Sequence, residues 1–287
     1  MLWKGSVVAL ALVGGGLSAL AAEGTHFGAW GTLVDPLNDS KVSISANGLT
    51  VALPAGDHDL GAERGQMSAP RVLQAVDGDF IVQVRVSARS RPTDPVTVAR
   101  APFHGAGLLL MQDEKNYIRL EQAAFSRDGN SYCYVSFELR KEGKTERFAL
   151  PSDLPLNAKA DTVLRLERHG DLVRAAATKY SEVQDWAPES PLTQAFDWHW
   201  LPPTIAKFPR RVHVGIAAVN VSNEEFAPRF GEFKLFIERG ETERRTDPEG
   251  AFSSSAPGIL WKTSPPRPVT LPSPVDAPAP FAPPKAP

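Results

Sequence analysis

The sequence predicts an antiparallel β-sandwich. Apolar and polar residues alternate in short runs along most of the chain, turn-forming residues separate the runs at short spacing, and no segment of ten or more residues keeps a helical period. Of the 287 residues, 42% are hydrophobic, and 31 basic side chains face 33 acidic ones. A formal charge of −2 gives no electrostatic reason to expect nucleic acid or an anionic membrane as a partner.

Residues 1–22 have a lone cation at Lys4, an apolar run from Val7 to Leu20 broken by glycines, and small residues before Ala22-Glu23. This is the pattern of a secretory signal peptide. The uninterrupted apolar stretch is short of the roughly 20 residues that a membrane span needs. The expected product is exported, periplasmic or extracellular, with no membrane span after cleavage; a retained anchor is the alternative. At the other end, 12 of the 26 prolines fall in the last 40 residues, so 239–287 read as a charged linker and a proline-rich tail. Residues 27–238 remain as one domain, ample for a core. The single cysteine, Cys133, excludes an internal disulfide, and on the apolar parity of its strand it reads as a small buried hydrophobe.

In order, Trp30-Gly31-Thr32-Leu33-Val34 makes a first strand ended by Asp35-Pro36. Residues 42–45 and 49–53 flank Ala46-Asn47-Gly48, a hairpin signal, because Asn-Gly tolerates the positive φ of a tight turn. Residues 54–70 have no period and read as a long loop, the kind that is often functional. Within it, His58 lies between two aspartates; bracing of the loop is weighed above metal ligation, since no second histidine stands at a useful spacing. Residues 79–86 alternate as a strand, 92–102 form a loop, and 107–111 are apolar on both parities, as in a strand covered on both sides. Residues 147–150 suggest a short strand, 163–168 and 172–177 flank His169-Gly170-Asp171 as a second hairpin, and 212–219 and 230–237 are the last core strands. The stretch 185–209 is proline-interrupted and aromatic, with Trp186, Phe196, Trp198 and Trp200; these rings either line a ligand site or pack the loop onto the sandwich.

The chain is organised around residues 105–140. Ile118 and Leu120 alternate with Tyr117, Arg119 and Glu121, and after the turn residues 126–130 Val135, Phe137 and Leu139 alternate with Tyr132, Tyr134 and Glu138. One face of this strand pair is apolar, and the other gathers Tyr117, Arg119, Glu121, Tyr132, Tyr134 and Glu138. Tyrosine offers flat apolar surface with a polar tip, and arginine and glutamate offer planar hydrogen-bonding groups. That mix suits a hydroxyl-rich ligand such as a sugar, so these six are the candidate ligand-binding residues. An ordinary solvated sheet face is the alternative.

Several segments resemble a bacterial family of domains of unknown function, regulation-of-enolase-like, within the concanavalin A-like lectin/glucanase superfamily. They are Trp30-Gly31 with Val34-Asp35-Pro36, Ala69-Pro70-Arg71-Val72-Leu73-Gln74 leading to Gly78-Asp79-Phe80, Gly105-Ala106-Gly107-Leu108-Leu109, Asn116-Tyr117-Ile118-Arg119-Leu120-Glu121, Leu164-Arg165-Leu166-Glu167-Arg168, and Val214-Gly215-Ile216-Ala217. The resemblance implies a jelly roll of two curved antiparallel sheets and leaves activity open. Ser181-Glu182-Val183-Gln184-Asp185-Trp186 keeps the family's serine and tryptophan but lacks its glycine turn.

The superfamily's hydrolases place Glu-x-Asp-x-x-Glu on one strand, and no such motif occurs here. Glu121, Glu138 and Glu167 lie on different strands, and a retaining glycosidase needs two carboxyls about 5 to 5.5 Å apart. Arg119 is expected to keep Glu121 ionised, the opposite of a general acid. No cofactor motif is present; Asp35, Asn38 and Asp39 offer hard oxygens for a structural Ca²⁺, against the plainer reading of a turn capped by its own side chains. The leading reading is an exported, non-catalytic carbohydrate-binding module whose partner is a carbohydrate or cell-envelope component. A protein-interaction scaffold acting through Pro265-Pro266-Arg267-Pro268 is the second, and a glycoside hydrolase the third.

Overall fold

Alternating apolar side chains bury one face of a strand only if a second sheet covers it, and the chain builds two such sheets. The computed structural model describes residues 24–98, 100–147, 151–179 and 198–237. The expected signal peptide, the linker and tail, the segment 148–150, and Trp186 and Phe196 lie outside these residues.

One sheet runs β1 (Thr32–Val34), β7 (Arg71–Asp77), β16 (Arg211–Ser222), β9 (Phe103–Asp113), β10 (Asn116–Arg127), β11 (Asn130–Lys141) and β12 (Lys144–Arg147), with β4 (Gly56–His58) added against β16. The other runs β15 (His199–Ile205), β14 (Leu172–Lys179), β13 (Thr162–His169), β8 (Phe80–Ser87), β17 (Arg229–Ile237), β3 (Gly48–Ala52) and β2 (Lys41–Ser45). Every strand pairing in both sheets is antiparallel. The chain is therefore the antiparallel β-sandwich that its alternation predicts. Among the described residues, no helix is long and apolar enough to cross a membrane.

Between the sheets, Leu108, Leu110, Ile118, Leu120, Val135 and Phe137 meet Val82, Val84, Val86, Leu164 and Leu166, all fully or almost fully buried. Each such side chain contributes roughly 1.5–3 kcal/mol over an exposed one. A second apolar cluster lies on the outer face of the first sheet, where Leu109, Met111, Tyr117, Val219 and Val221 pack beneath Leu60 and Ala69. This explains why β9 is apolar on both parities.

Several boundaries differ from expectation. The supposed loop 54–70 contains β4 and a small hairpin of β5 (Leu60–Gly61) and β6 (Gln66–Met67); strands of two or three residues have no period to read. Strand β7 went unpredicted because Arg71, Val72 and Leu73 are all buried, which erases alternation. Strand β15 was read as part of a loop because of Pro202 and Pro203, yet it sits at a sheet edge, where a missing N–H costs no ladder bond.

Gly107 and Gly215 sit where neighbouring backbone leaves no room: a Cβ on either would overlap the Leu120 or the Val72 carbonyl oxygen. Overpacking of this kind costs about 1–3 kcal/mol or more. Gly107→Ala is expected to lower the unfolding free energy by that amount, read as a lower urea midpoint with an unchanged denaturant slope; an unchanged midpoint would contradict the close approach of β9 to β10.

Candidate functional site

Register places Arg119 opposite Glu138, Tyr117 opposite Arg140 and Glu121 opposite Ser136, all on the outer face of β10 and β11. The expectation that this face meets water is corrected by the structure. Tyr117, Arg119, Glu121, Tyr134 and Glu138 are each at most 5% exposed; of the six candidates only Tyr132, at 40%, is open. The cover over Tyr117 is the β5–β6 hairpin with its short 3₁₀ turn Ala62–Arg64. Tyr117 Oη donates to the Leu60 carbonyl at 2.8 Å and accepts from the Ala62 amide at 3.3 Å.

The hairpin brings charges that complete a network. Arg119 Nη2 donates to Glu138 Oε2 at 2.6 Å, and Glu138 also accepts from Arg140 Nη1 at 2.9 Å and from Ser136 Oγ at 3.1 Å. Arg140 Nε reaches Glu63 on the hairpin at 2.9 Å. Asp59 lies 3.7 Å from Arg119 Nη1 and also accepts from Arg64 and Arg100. Asp57, which accepts from Arg100 at 2.8 Å, brings the count to four carboxylates against four guanidiniums among the described residues. Sequence reasoning missed Asp59, Glu63, Arg64, Arg100 and Arg140. Arg140 was legible, since it shares the parity of Glu138, whereas the other four come from loops without a period.

Glu121 is the exception within this network. It is 1% exposed, it faces Arg119 Nε only at 3.7 Å, and neither of its oxygens accepts a hydrogen bond among the described residues. Gly105 makes its space, because a Cβ there would lie 3.1 Å from the Glu121 carboxyl. Burial, reinforced by Glu138 and Asp59 against the pull of Arg119, pushes the Glu121 carboxyl up to about 7. The expectation that Arg119 keeps Glu121 ionised is therefore corrected: without a direct hydrogen bond, desolvation wins. For Asp59 and Glu138 burial acts in the same direction but loses. Arg119, Arg100 and Arg64 hold Asp59 below the usual carboxylate range, and Arg119 and Arg140 do so for Glu138. Arg119 stays firmly protonated, because Glu121, Glu138 and Asp59 outweigh its own desolvation.

The third carboxylate of the hydrolase expectation, Glu167, lies on the outer face of the other sheet, where it accepts from Arg165 at 2.6 Å. It cannot meet Glu121 or Glu138. His58 braces its loop through Asp39, with Nε2 at 3.1 Å from both carboxylate oxygens. Asp35 caps its own turn by accepting from the Ser40 amide and hydroxyl. A Ser–His string also exists: Ser90 bonds His104 Nδ1, and His104 Nε2 bonds Ser222, which bonds Asn220. Burial drives His104 down to about 4, so it stays neutral near pH 7 and is a feeble general base. Burial also raises the Cys133 thiol, leaving little thiolate.

Among the described residues, two aromatic surfaces are open. Tyr132 stacks on Phe125, with centroids 4.8 Å apart, at the end of the β10–β11 hairpin. On the other sheet, Trp200 is 41% exposed beneath the Arg174 guanidinium, 4.1 Å from the ring centroid. Register sets Trp200 opposite Ala176 and Ala176 opposite Arg165, so one small residue leaves room for the ring and the guanidiniums. Arg165 also lies over Trp198 at 5.7 Å, and Glu167 draws in Arg174 at 3.6 Å and His169 at 4.0 Å. β15 is an edge strand, so among the described residues no strand pairs beyond Trp200. The signal for this patch was the spacing Trp198-x-Trp200 together with Arg165-x-Glu167.

No family model and no curated protein matches the chain. Among solved structures, it is similar to a functionally unknown protein from Saccharomyces cerevisiae, with 18% identity, 74% of this chain and 98% of that one covered, and a TM-score of 0.54. That likeness shows the fold alone. A xylan β-1,4-xylosidase from Bacillus halodurans has 16% identity over 65% of this chain and 32% of its own, at a TM-score of 0.46. A legume lectin-like domain from Entamoeba histolytica has 10% identity over 72% of this chain and 89% of its own, at 0.40.

Glu121 carries a stability signature. Its carboxyl is raised in the folded state, so its contribution is fully present below its ordinary value of 4.5 and is lost as pH rises to about 7. The loss is on the order of 3 kcal/mol, at about 1.36 kcal/mol per pH unit of the window. Asp59, Glu63 and Glu138 act the opposite way and destabilise the fold only as pH falls below the ordinary carboxylate range. Urea midpoints of the wild type should therefore fall relative to those of Glu121→Gln between about pH 4.5 and 7, a window in which His104, held down to about 4, acts the opposite way in both proteins. Parallel pH profiles for the two proteins would refute the assignment.

Proposed function

We propose that the protein is an exported, non-catalytic carbohydrate-binding module of concanavalin A-like architecture, and that its ligand face is the Trp200 surface of the second sheet. The observation behind this reading is Trp200 itself: an exposed ring on an edge strand, next to Arg174, Glu167 and His169. An indole supplies the flat apolar plate on which the C–H face of a sugar ring stacks, and arginine and glutamate supply donors and acceptors for its hydroxyls. This is the residue mix expected on the Tyr117 to Glu138 face, found open on the opposite side of the sandwich. Tyr132 stays a candidate contact. Tyr117, Arg119, Glu121, Tyr134 and Glu138 are buried and serve the sugar only if the segments that cover them lift.

The non-catalytic reading rests on access rather than on ionisation. Glu121 and Glu138 do differ in protonation as an acid and its partner carboxylate would, but both are buried where a polysaccharide does not reach. Export is supported by the Lys4 and 7–20 pattern, and the ligand is then a glycan outside the cytoplasm or part of the cell envelope.

A glycan array probed with the full chain should give binding that Trp200→Ala weakens at least about tenfold, or about 1.4 kcal/mol, while Cys133→Ser leaves it unchanged. No binding to any glycan at millimolar concentration, or binding indifferent to Trp200→Ala, would sink the reading. Reducing sugar released from a polysaccharide panel and abolished by Glu121→Gln would replace it with a glycosidase.

A further inference from the structure

A cleft of ≈ 400 Å³ opens between the β2–β3 turn and β17, lined by Trp30, Ile44, Ser45, Asn47, Arg85 and Glu232 among others. Its size is at the low end of the roughly 300–1,000 Å³ of small-molecule sites. Three irregularities of the backbone converge on it. Gly48 in the turn adopts φ +124, and a Cβ there would overlap the Phe230 carbonyl oxygen. The register of β17 against β8 shifts between Gly231 and Lys234. Between them, Glu232 has φ 52, a left-handed conformation that L-residues adopt at an energetic cost. The other non-glycine residues with positive φ, Asn38, Asp128 and Glu142, lie at turns or bends; Glu232 alone among the described residues does so within a strand.

A bulge re-aims the side chain it carries, and strain of this kind inside a regular element points to a site rather than to packing. Here it turns Glu232 toward Arg85, with Oε1 3.4 Å from Nε. Gly231 takes part as well, since a Cβ there would stand 2.9 Å from Arg85 Nη2 and 3.3 Å from the Asn47 carbonyl oxygen; its absence lets the guanidinium lie flat along the strand beside the turn. Trp30 forms an apolar wall, held against Phe233 with centroids 5.1 Å apart, and Ile44, 58% exposed, forms the rim.

We propose that this cleft is a second binding site, and that it takes one neutral saccharide ring. The proposal rests on the carbohydrate reading above and adds a site on different elements. Glu232 faces Arg85 and also feels the Lys234 ammonium; a charged ligand has to break into these pairs, whereas hydroxyls both donate and accept and can bridge Arg85 and Glu232. Asn47 and Ser45 add a neutral amide and a hydroxyl at the rim, and Trp30 meets the apolar face of the ring.

The test follows ¹⁵N side-chain signals of the full chain during titration with the methyl glycosides of glucose, galactose, mannose, xylose and arabinose. At least one should move the Trp30 indole, the Asn47 amide and the Arg85 Nε–H together and saturably in the millimolar range. Glu232→Gly should weaken that response at least tenfold, and it should not lower Tm, because glycine adopts the left-handed backbone without strain. Glu232→Gln, which keeps the shape, should weaken it less. The cleft proposal is overturned if these signals stay still across the panel, or if they titrate identically in Glu232→Gly. A response of the Trp200 indole alone would overturn the cleft and leave the proposed function standing. A response of the cleft alone would uphold the cleft and refute the Trp200 face. Silence at both indoles would remove both.

Discussion

The charge of Arg119 is the constraint on which the outer half of the molecule depends. A guanidinium that is 4% exposed costs several kcal/mol in lost hydration unless carboxylates surround it. Glu138 comes from the neighbouring strand, but Asp59 comes from a segment sixty residues earlier in the chain. Meeting Arg119 therefore fixes where residues 56–70 must lie. Once Asp59 is there, Leu60 covers Tyr117, Glu63 reaches Arg140, and Arg64 and Arg100 close over Asp59. A polar sheet face that could have met solvent becomes an interior.

This closure divides the labour between the sheets. The middle of the first sheet, along β9 and β10, is buried on both faces, by the core on one side and by side chains and ion pairs of the outer face on the other. Among the described residues, open aromatic and polar surface lies elsewhere: at Trp200 on the edge strand β15, at the Trp30 cleft, and at the Tyr132–Phe125 pair. Each lies at an edge strand or near the end of a hairpin, where side chains escape the lattice of neighbours that fills the middle of a sheet.

Much of the fold was legible in the sequence, because alternation is a direct image of one-sided burial. It located β2, β3, β8, β10, β11, β13, β14, β16 and β17. It failed where apolar residues stand on both parities, as Val72 and Leu73 do in β7, and where elements are too short to show a period, as in β4, β5 and β6. The candidate face was correctly assembled from parity, and its exposure was wrongly assumed. Parity says which residues share a face and nothing about what lies above it. The covering residues, Asp59 and Glu63, stand in a stretch whose only sequence signal is length. The protonation of Glu121 was misjudged for a related reason: an arginine two residues away along a strand shares the face, yet at 3.7 Å it gives no hydrogen bond, and desolvation dominates.

The central claim is that the β5–β6 hairpin and the Arg119 network form one cooperative unit with the sheet beneath. Native-state amide hydrogen exchange tests it most directly, since local openings and global unfolding are separated by their protection. The Leu60 amide, bonded to Asp59, and the Ala69 amide, bonded to the Asp59 carbonyl, report the cover; Ile118 reports the core. The account predicts that Leu60 and Ala69 exchange nearly as slowly as Ile118 and share its denaturant dependence. Rapid, denaturant-independent exchange at Leu60 and Ala69 with Ile118 still protected would show a cover that lifts on its own, and a Tyr117–Glu138 face that is open to ligand after all.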